Sequence, residues 1–162
     1  MKLYVEDYLP ASPSEVWDIF ESDEYKERYH EETGDTLHLL ERSFEGDVEI
    51  QRIRNEPNRE LPGVIAKAIG AKKLCFVQEN RLDRSTGRME WTVRLEVLSD
   101  LVTVEGVTYC VEDSGGTKRV IDGEIKVAVP VVGGQIERVV VSEFEKSMRR
   151  AVDLGLEMIE ER

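Results

Sequence analysis

The sequence predicts an α+β domain in which a curved antiparallel sheet of about seven strands grips one long C-terminal helix. Strand-like segments follow one another through most of the chain, and from Ile121 onward an alternating strand, a Pro/Gly break and a long amphipathic helix end it. A sheet with one apolar face must bury that face against a second layer, and this helix is the longest element available to cover it. No repeat or linker divides the sequence, so residues 1–162 are expected to form a single domain.

The first forty residues predict one strand and two helices. The segment LYVEDYL reads as a short strand. Ser12 is a typical N-cap, and Glu15 is placed to complete a capping box at the start of the first helix. A second short helix is expected over 23–32, ending before Gly34, where glycine accepts the left-handed conformation most easily.

Six further strands are predicted, with one short helix among them. The helix has apolar residues at helical spacing from Val64 to Ile69, in a stretch that also contains two prolines. The clearest alternation begins at Arg88, where every second side chain is apolar, so one face of that strand must be buried. The predicted strands cover 36–44, 48–55, 74–82, 88–97, 101–112 and 117–129.

The C-terminal helix, from about Gly134, has an apolar face with a ridge of small residues at Ser147, Ala151 and Gly155. The sheet carries Gly123 on its own apolar row. Small residues facing each other have two physical outcomes: the backbones approach closely, or a gap remains that a ligand can fill. The sequence leaves both outcomes open.

A curved sheet favours the gap, because its strands bend away from a helix that cannot fill the concavity alone. A cavity left there would be apolar and suited to nonpolar guests. For any one large side chain in its walls, ordinary core packing is the alternative interpretation. The candidate ligand-binding residues are Trp91, Val93, Leu95, Tyr109, Ile121, Gly123, Ile125, Val127, Phe144, Ser147, Met148 and Ala151.

Charge and composition narrow the classes of partner. The chain has 22 Lys plus Arg against 34 Asp plus Glu, a net charge of −12, and so acidic a surface disfavours nucleic-acid binding. No apolar run approaches the ~20 residues that cross a bilayer, so stable membrane insertion is not expected. The N-terminus lacks the charged head and apolar centre of a secretory signal, which predicts a cytoplasmic protein. Cys75 and Cys110 match no metal or redox spacing and are expected to be reduced thiols.

No catalytic or metal-binding motif is recognised. His30 and His38 do not have the HExxH spacing of a zinc site, and the sequence contains no GxSxG element. Gly133 and Gly134 precede a helix without a phosphate-loop pattern and read as a hinge from strand to helix. The sequence therefore predicts no catalytic residue, no metal site and no cofactor.

Several segments together resemble the START-like superfamily, also called the SRPBCC or polyketide cyclase/dehydrase and lipid-transport superfamily. They are PASPSEVWDIF, DEYKERY, DGEIKVAVPVVGGQIE and the terminal helix. The LPGVIAKAIG insert and the VPVVGGQIE junction are similar to an uncharacterised bacterial family of START-like proteins. The resemblance implies a helix-grip fold with a deep pocket, usually for lipids, sterols, polyketides or other hydrophobic molecules.

The leading hypothesis is a non-catalytic protein that binds or carries a small hydrophobic or amphiphilic molecule, lipid-like or polyketide-like. The alternative is an aromatase/cyclase or dehydratase, which would need Tyr109, Arg52, Arg54 or Arg81 to point into the pocket. A third hypothesis is an interaction module with a filled core and an exposed apolar patch. The oligomeric state is not predicted.

Overall fold

Seven strands and four helices make up the chain, which a computed structural model describes over residues 1–162. None of the helices is long and apolar enough to cross a bilayer. In chain order the elements are β1 (Lys2–Leu9), α1 (Pro13–Phe20), α2 (Asp23–Thr33), β2 (Thr36–Glu45), β3 (Val48–Glu56), α3 (Gly63–Ile69), β4 (Phe76–Asp83), β5 (Arg88–Leu95), β6 (Val102–Asp113), β7 (Gly116–Val127) and α4 (Gly133–Glu160).

All seven strands belong to one antiparallel sheet in the order β1-β7-β6-β5-β4-β3-β2. The two edge strands, β1 and β2, are joined by α1 and α2, so this helical pair spans the open side of the sheet. Helix α4 packs against β7, β1, α1 and α2. The predicted fold class, a curved antiparallel sheet gripping a long C-terminal helix, is confirmed.

Local capping explains where α1 and α2 begin. The Ser12 hydroxyl accepts a hydrogen bond from the Glu15 backbone N–H at 3.3 Å, and the Ser22 hydroxyl accepts one from the Tyr25 N–H at 3.1 Å. Helix α2 ends at Gly34, whose φ of 73° is left-handed. With both helices fixed at their starts, Trp17 of α1 and Tyr25 of α2 are buried.

Strand alternation divides the sheet into an inner face toward α4 and an outer face toward solvent. On β5, Met89, Trp91 and Leu95 are buried, whereas Arg88 and the other alternate residues are exposed. Pairing register aligns inner-face residues in rows across the sheet. The central row runs through Gln51, Asn80, Trp91, Gly106 and Gly123.

The indole ring of Trp91 lies on two of these residues. A Cβ atom at Gly123 would stand 2.8 Å from the Trp91 Cη2 atom, and one at Gly106 would stand 2.5 Å from Trp91 Cζ2. The Trp91 indole N–H donates to the Thr108 hydroxyl at 3.1 Å, which completes the polar requirement of the buried ring. Glycine is required at both positions because the ring takes the space of a side chain.

A second aromatic ring packs against Gly155, the last of the three small residues on α4. A Cβ atom at Gly155 would stand 2.6 Å from Phe20 Cζ of α1. Of the two outcomes, the close approach of the α4 and β7 backbones does not occur at these glycines, because the rings of Trp91 and Phe20 pack against Gly123 and Gly155; open space remains beside Ser147 and Ala151.

Replacing Gly106 with alanine tests the close approach of Trp91. The added Cβ would clash with Trp91 Cζ2, the Gly123 Cα at 2.7 Å and the Asp122 carbonyl oxygen, so backbone must move. We expect Gly106→Ala to lower the free energy of unfolding by about 1–3 kcal/mol in urea titrations.

The matched control is Gly134→Ala in the first turn of α4, where a Cβ meets nothing within 4 Å. That change should be neutral or stabilise by up to about 0.5–1 kcal/mol. Equal effects of the two substitutions would show that Trp91 does not rest on Gly106.

Candidate ligand-binding site

A cavity of about 310 Å³ lies between the inner face of the sheet and α4. Residues of α1, α2 and the segment that precedes α3 complete its walls. Of the 36 residues that line it, 22 are hydrophobic, which is the composition of a site that holds a mainly apolar molecule.

Aromatic rings form one wall. The rings of Trp91 and Phe144 have centroids 5.7 Å apart and planes inclined at 30°. Trp17 and Phe20 of α1 also line the cavity. Both tryptophans of the chain are thus cavity residues, so intrinsic fluorescence can report on occupancy.

Several apolar residues face inward but are only partly buried. Val93 lies between the buried Trp91 and Leu95 on the same face of β5 and yet remains partly exposed. Phe76, Phe144 and Met148 are also only partly buried. All four line the cavity, so their uncovered surface faces the open space. Apolar surface left uncovered in this way is the main driving force available for binding an apolar guest.

The opposite wall carries amide side chains from β3 and β4. Gln78 Nε2 donates to Asn80 Oδ1 at 2.8 Å, and Asn80 is only 6% exposed. Asn55 also lines the cavity and donates to the Ile53 carbonyl at 3.3 Å. The lining from β3 and β4 is therefore richer in amides than the lining from β5 to β7, where the polar residues are Thr108 and Arg119.

One buried arginine lines the cavity near the β6–β7 turn. Arg119 is 6% exposed and donates to the Asp7 carboxylate at 3.4 Å, while its guanidinium lies 4.4 Å from the centroid of the Phe20 ring. Its Nε–H has no hydrogen-bond partner. Burial raises the pKa of Asp7, and Arg119 opposes this shift. The pair is a neutral but costly polar element at one end of the cavity.

Glu21 places a carboxyl group in the cavity at the end of α1. Burial raises the pKa of this group, and the nearby positive charge of Lys26 opposes the rise. The Lys26 ammonium donates to the Glu21 backbone carbonyl at 3.4 Å and not to its carboxylate. The carboxyl group of Glu21 is therefore held near a positive charge without a direct bond to it.

Two polar contacts hold the segment between β3 and α3 over the cavity. Arg59 forms an ion pair with Glu143 of α4 at 2.8 Å, and both side chains are about one-third exposed (37% and 33%). The Asn58 N–H donates to the Asp35 carboxylate at 2.8 Å. Because the Arg59–Glu143 pair lies at the surface and also lines the cavity, it marks the mouth.

Eight of the twelve residues predicted from the sequence surround the cavity: Trp91, Val93, Leu95, Ile121, Phe144, Ser147, Met148 and Ala151. The structure does not place the other four there. Tyr109 lies on the outer face, because the inner residues of β6 are Val104, Thr108 and Cys110. Gly123 is covered by the Trp91 ring.

Ile125 and Val127 face inward but are packed by protein. Ile125 is fully buried, and Val127 lies under the first turn of α4, 3.8 Å from the position of a Cβ on Gly133. That the eight lining residues contact a ligand stays a prediction.

The three arginines considered for the enzymatic alternative lie outside the cavity. Arg52 pairs with Glu41 at 3.5 Å, and Arg81 donates to Glu45 at 3.0 Å. Arg54 binds the Glu96 carboxylate through two nitrogens. Their outward direction follows from strand alternation, since each lies next in sequence to an inward residue such as Ile53 or Asn80.

Sequence reasoning missed Arg119, Gln78, Asn80 and Glu21. The sequence could have indicated Arg119. Alternate residues of β7 face inward, so the face that carries Ile121 and Gly123 also carries residue 119. Gln78 and Asn80 share a face with the buried Leu82, again by alternation. Glu21 had no such signal, since its direction depends on the turn between α1 and α2.

Comparisons with known proteins agree with this architecture. The sequence model of a family described as "Protein of unknown function (DUF2505)" matches residues 5–159. No curated protein matches the chain.

Three solved structures illustrate the structural likeness. The protein TTHA0849 from Thermus thermophilus is 20% identical with a TM-score of 0.69, over 97% of this chain and 95% of that one. The ZhuI aromatase/cyclase from Streptomyces sp. R1128 is 13% identical with a TM-score of 0.70, over 100% and 94%. Norcoclaurine synthase from Thalictrum flavum is 14% identical with a TM-score of 0.64, over 100% and 87%. At such identities the likeness is one of fold, and that fold is the one predicted from the sequence.

The two cysteines offer a test of how closed the cavity wall is. Cys110 lines the cavity and is buried, and burial raises its thiol pKa to about 11, whereas Cys75 is partly exposed. Because only the thiolate is nucleophilic, iodoacetamide at pH 8 should alkylate Cys75 well before Cys110. Peptide mass spectrometry after timed labelling measures both rates.

The rate at Cys110 should rise with pH toward a midpoint of about 11. Labelling in urea is the control and should remove the difference between the thiols. Equal rates in the folded protein at pH 8 would contradict a closed wall at β6.

Proposed function

The chain belongs to the DUF2505 family, and we propose that it binds and carries one small, largely apolar molecule in the cavity between the sheet and α4, without transforming it. One observation supports this most directly: inward-facing apolar side chains such as Val93, Phe144 and Met148 remain partly uncovered inside the fold. Core residues of a filled domain would be covered by one another. Here a guest molecule would supply the missing contacts.

The size of the space supports a single compact ligand. A cavity of about 310 Å³ is at the lower end of the range of about 300–1,000 Å³ that holds small molecules. A short single-chain amphiphile or a small polycyclic compound suits this volume. A two-chain membrane lipid does not.

The mouth is held by interactions that open at little cost. Exposed ion pairs such as Arg59–Glu143 contribute about 0.2–1 kcal/mol, far less than the packing that holds α4. Breaking this pair would free the outer part of the segment 57–62 at little cost, while Leu61 stays bonded to the Lys72 carbonyl at 2.7 Å and packed on the core.

Filling the cavity with a protein side chain tests the proposal. Val93→Trp adds an indole to the open space, and Thr92→Trp adds the same ring one residue earlier on the outer face. We expect Val93→Trp to weaken binding of the neutral dye N-phenyl-1-naphthylamine by about tenfold or more, and Thr92→Trp to leave it unchanged. Dye fluorescence titrations measure both constants.

Native mass spectrometry of the purified proteins gives an independent readout. A small molecule retained by the wild-type chain and by Thr92→Trp should be absent from Val93→Trp. Dye binding that is equal in the two variants would place the dye outside the cavity and contradict the proposal.

A second candidate is a cyclase or dehydratase that acts in the same cavity. Glu21 favours it, because burial raises the pKa of this cavity-lining carboxyl group, so it keeps its proton to higher pH than an exposed glutamate and is better suited to act as a general acid. Mass spectrometry of a bound hydroxylated polyketide-like compound separates the candidates. A carrier returns the compound unchanged, a dehydratase returns it short of one water, and a cyclase that does not dehydrate returns an isomer of equal mass that separates by chromatography; Glu21→Gln should abolish either change.

A further inference from the structure

The amide side chains of the inner face all lie on β3 and β4, whereas the polar lining residues of β6 and β7 are Thr108 and Arg119. Glu49, Gln51 and Asn55 of β3 and Gln78 and Asn80 of β4 face inward, with Ile53, Phe76 and Leu82 between them. On β5, β6 and β7 the cavity wall is mainly apolar, with Val93, Leu95, Val104 and Ile121. A ligand in this space meets amides on one side and hydrocarbon on the other.

The Gln78–Asn80 pair has hydrogen-bonding capacity left unused. Their mutual bond, Gln78 Nε2 to Asn80 Oδ1 at 2.8 Å, is the one side-chain hydrogen bond that either amide makes. It leaves the Asn80 NH2 group and the Gln78 carbonyl free. Exchanging oxygen and nitrogen in both amides reverses the bond and still leaves one free NH2 and one free carbonyl. The pair therefore offers a donor and an acceptor together.

The neighbouring residue adds an unused acceptor. Gln51 lies opposite Asn80 in the strand register and is 4% exposed. Its NH2 donates to Glu49 Oε1 at 2.8 Å, and its own carbonyl oxygen is buried without a partner. A buried acceptor without a donor is costly, by about 1–3 kcal/mol. Gln51 does not itself line the cavity, but the row that contains Asn80 therefore holds one acceptor more than its donors satisfy.

Charge around the cavity does not favour an anion. Its lining includes four acidic residues, Glu21, Asp35, Glu60 and Glu143, against three basic ones, Lys26, Arg59 and Arg119. Arg59 is bound to Glu143 and Arg119 to Asp7. Glu49, in the row next to Asn80, is already bound by Arg42 at 2.6 Å and by Gln51. A carboxylate near Asn80 would be desolvated without a free cation on β3 or β4 to offset the cost.

We propose that the ligand carries a neutral polar group with both a hydrogen-bond donor and an acceptor, such as a carboxamide or hydroxyl, and that Gln78 and Asn80 hold this group. The apolar body of the ligand then lies against Val93 and the Trp91–Phe144 rings. The inference rests on the proposed binding function and gives it a ligand class: neutral amphiphiles are selected over carboxylates. Fatty acids are accordingly poor ligands at neutral pH.

An isosteric pair of probes tests this selection. 2-Naphthalenecarboxamide and 2-naphthoate share one skeleton and differ in that the amide is neutral and can donate. Isothermal titration of the wild-type protein at pH 7 should give an affinity for the carboxamide about tenfold or more higher. Asn80→Leu removes the free amide group and should reduce that preference about tenfold, the equivalent of about 1.4 kcal/mol.

Gln135→Leu is the control for an amide-to-leucine change, because Gln135 is exposed in the first turn of α4 and does not line the cavity. It should leave the preference intact. If Asn80→Leu fails to fold, Gln78→Leu is used in its place, since Gln78 is only partly buried. It should lower the preference in the same direction.

The outcomes separate this inference from the function it rests on. Equal affinities for the two probes or tighter binding of 2-naphthoate would overturn the amide site. A preference that neither Asn80→Leu nor Gln78→Leu changes would also overturn it. The proposed binding function would still hold in these cases if Val93→Trp blocks dye binding. Failure of both probes while the dye binds would also overturn it. If the dye does not bind to the wild-type protein, the proposed binding function is wrong, and this inference is wrong with it.

Discussion

The interior depends on one contact, the packing of the Trp91 ring against Gly106 and Gly123. Because two adjacent strands lack side chains at this point, the indole lies flat against the sheet and does not project across the cavity. Phe144 of α4 then packs on the ring at a centroid distance of 5.7 Å. Together the two rings form one wall and hold the middle of α4 away from β5.

Helix α4 is anchored toward both ends and left uncovered in the middle. Ile136 and Val140 pack into the main core near its start, and Leu154, Gly155 and Met158 pack near its end against α1 and α2. Ser147 and Ala151 lie between these anchors, and their side chains are too short to reach the sheet. The open space is therefore a consequence of where the large residues stand along the helix.

The buried polar residues of β3 and β4 reduce the stability of the folded protein. Asn80, Gln51 and Glu49 are more than nine-tenths buried, and one carbonyl among them lacks a partner. Substituting apolar residues there would relieve this cost, so stability alone does not account for them. A bound molecule that pairs with Asn80, the one of the three that lines the cavity, would account for that residue in the same way that an apolar guest would account for the uncovered Val93.

Strand alternation and helix spacing allowed the sheet, the long helix and most of the cavity wall to be predicted. The two-residue period placed Trp91, Val93 and Ile121 on the inner face correctly, and it would have placed Arg119 and Asn80 there too had it been followed through polar residues. Tyr109 was misplaced because its size suggested a core residue although its neighbours Thr108 and Cys110 are the inward ones. The direction of Glu21 and the covering of Gly123 by Trp91 depend on tertiary packing, which no local pattern encodes.

Nuclear Overhauser effects from bound N-phenyl-1-naphthylamine test the central claim, an open and accessible space beneath α4, most directly. The account predicts contacts from the dye to the methyl groups of Val93, Val104 and Ile121, which line the cavity. Contacts confined to Leu39, Leu40 or Val64, which are exposed apolar residues on the surface, would contradict it.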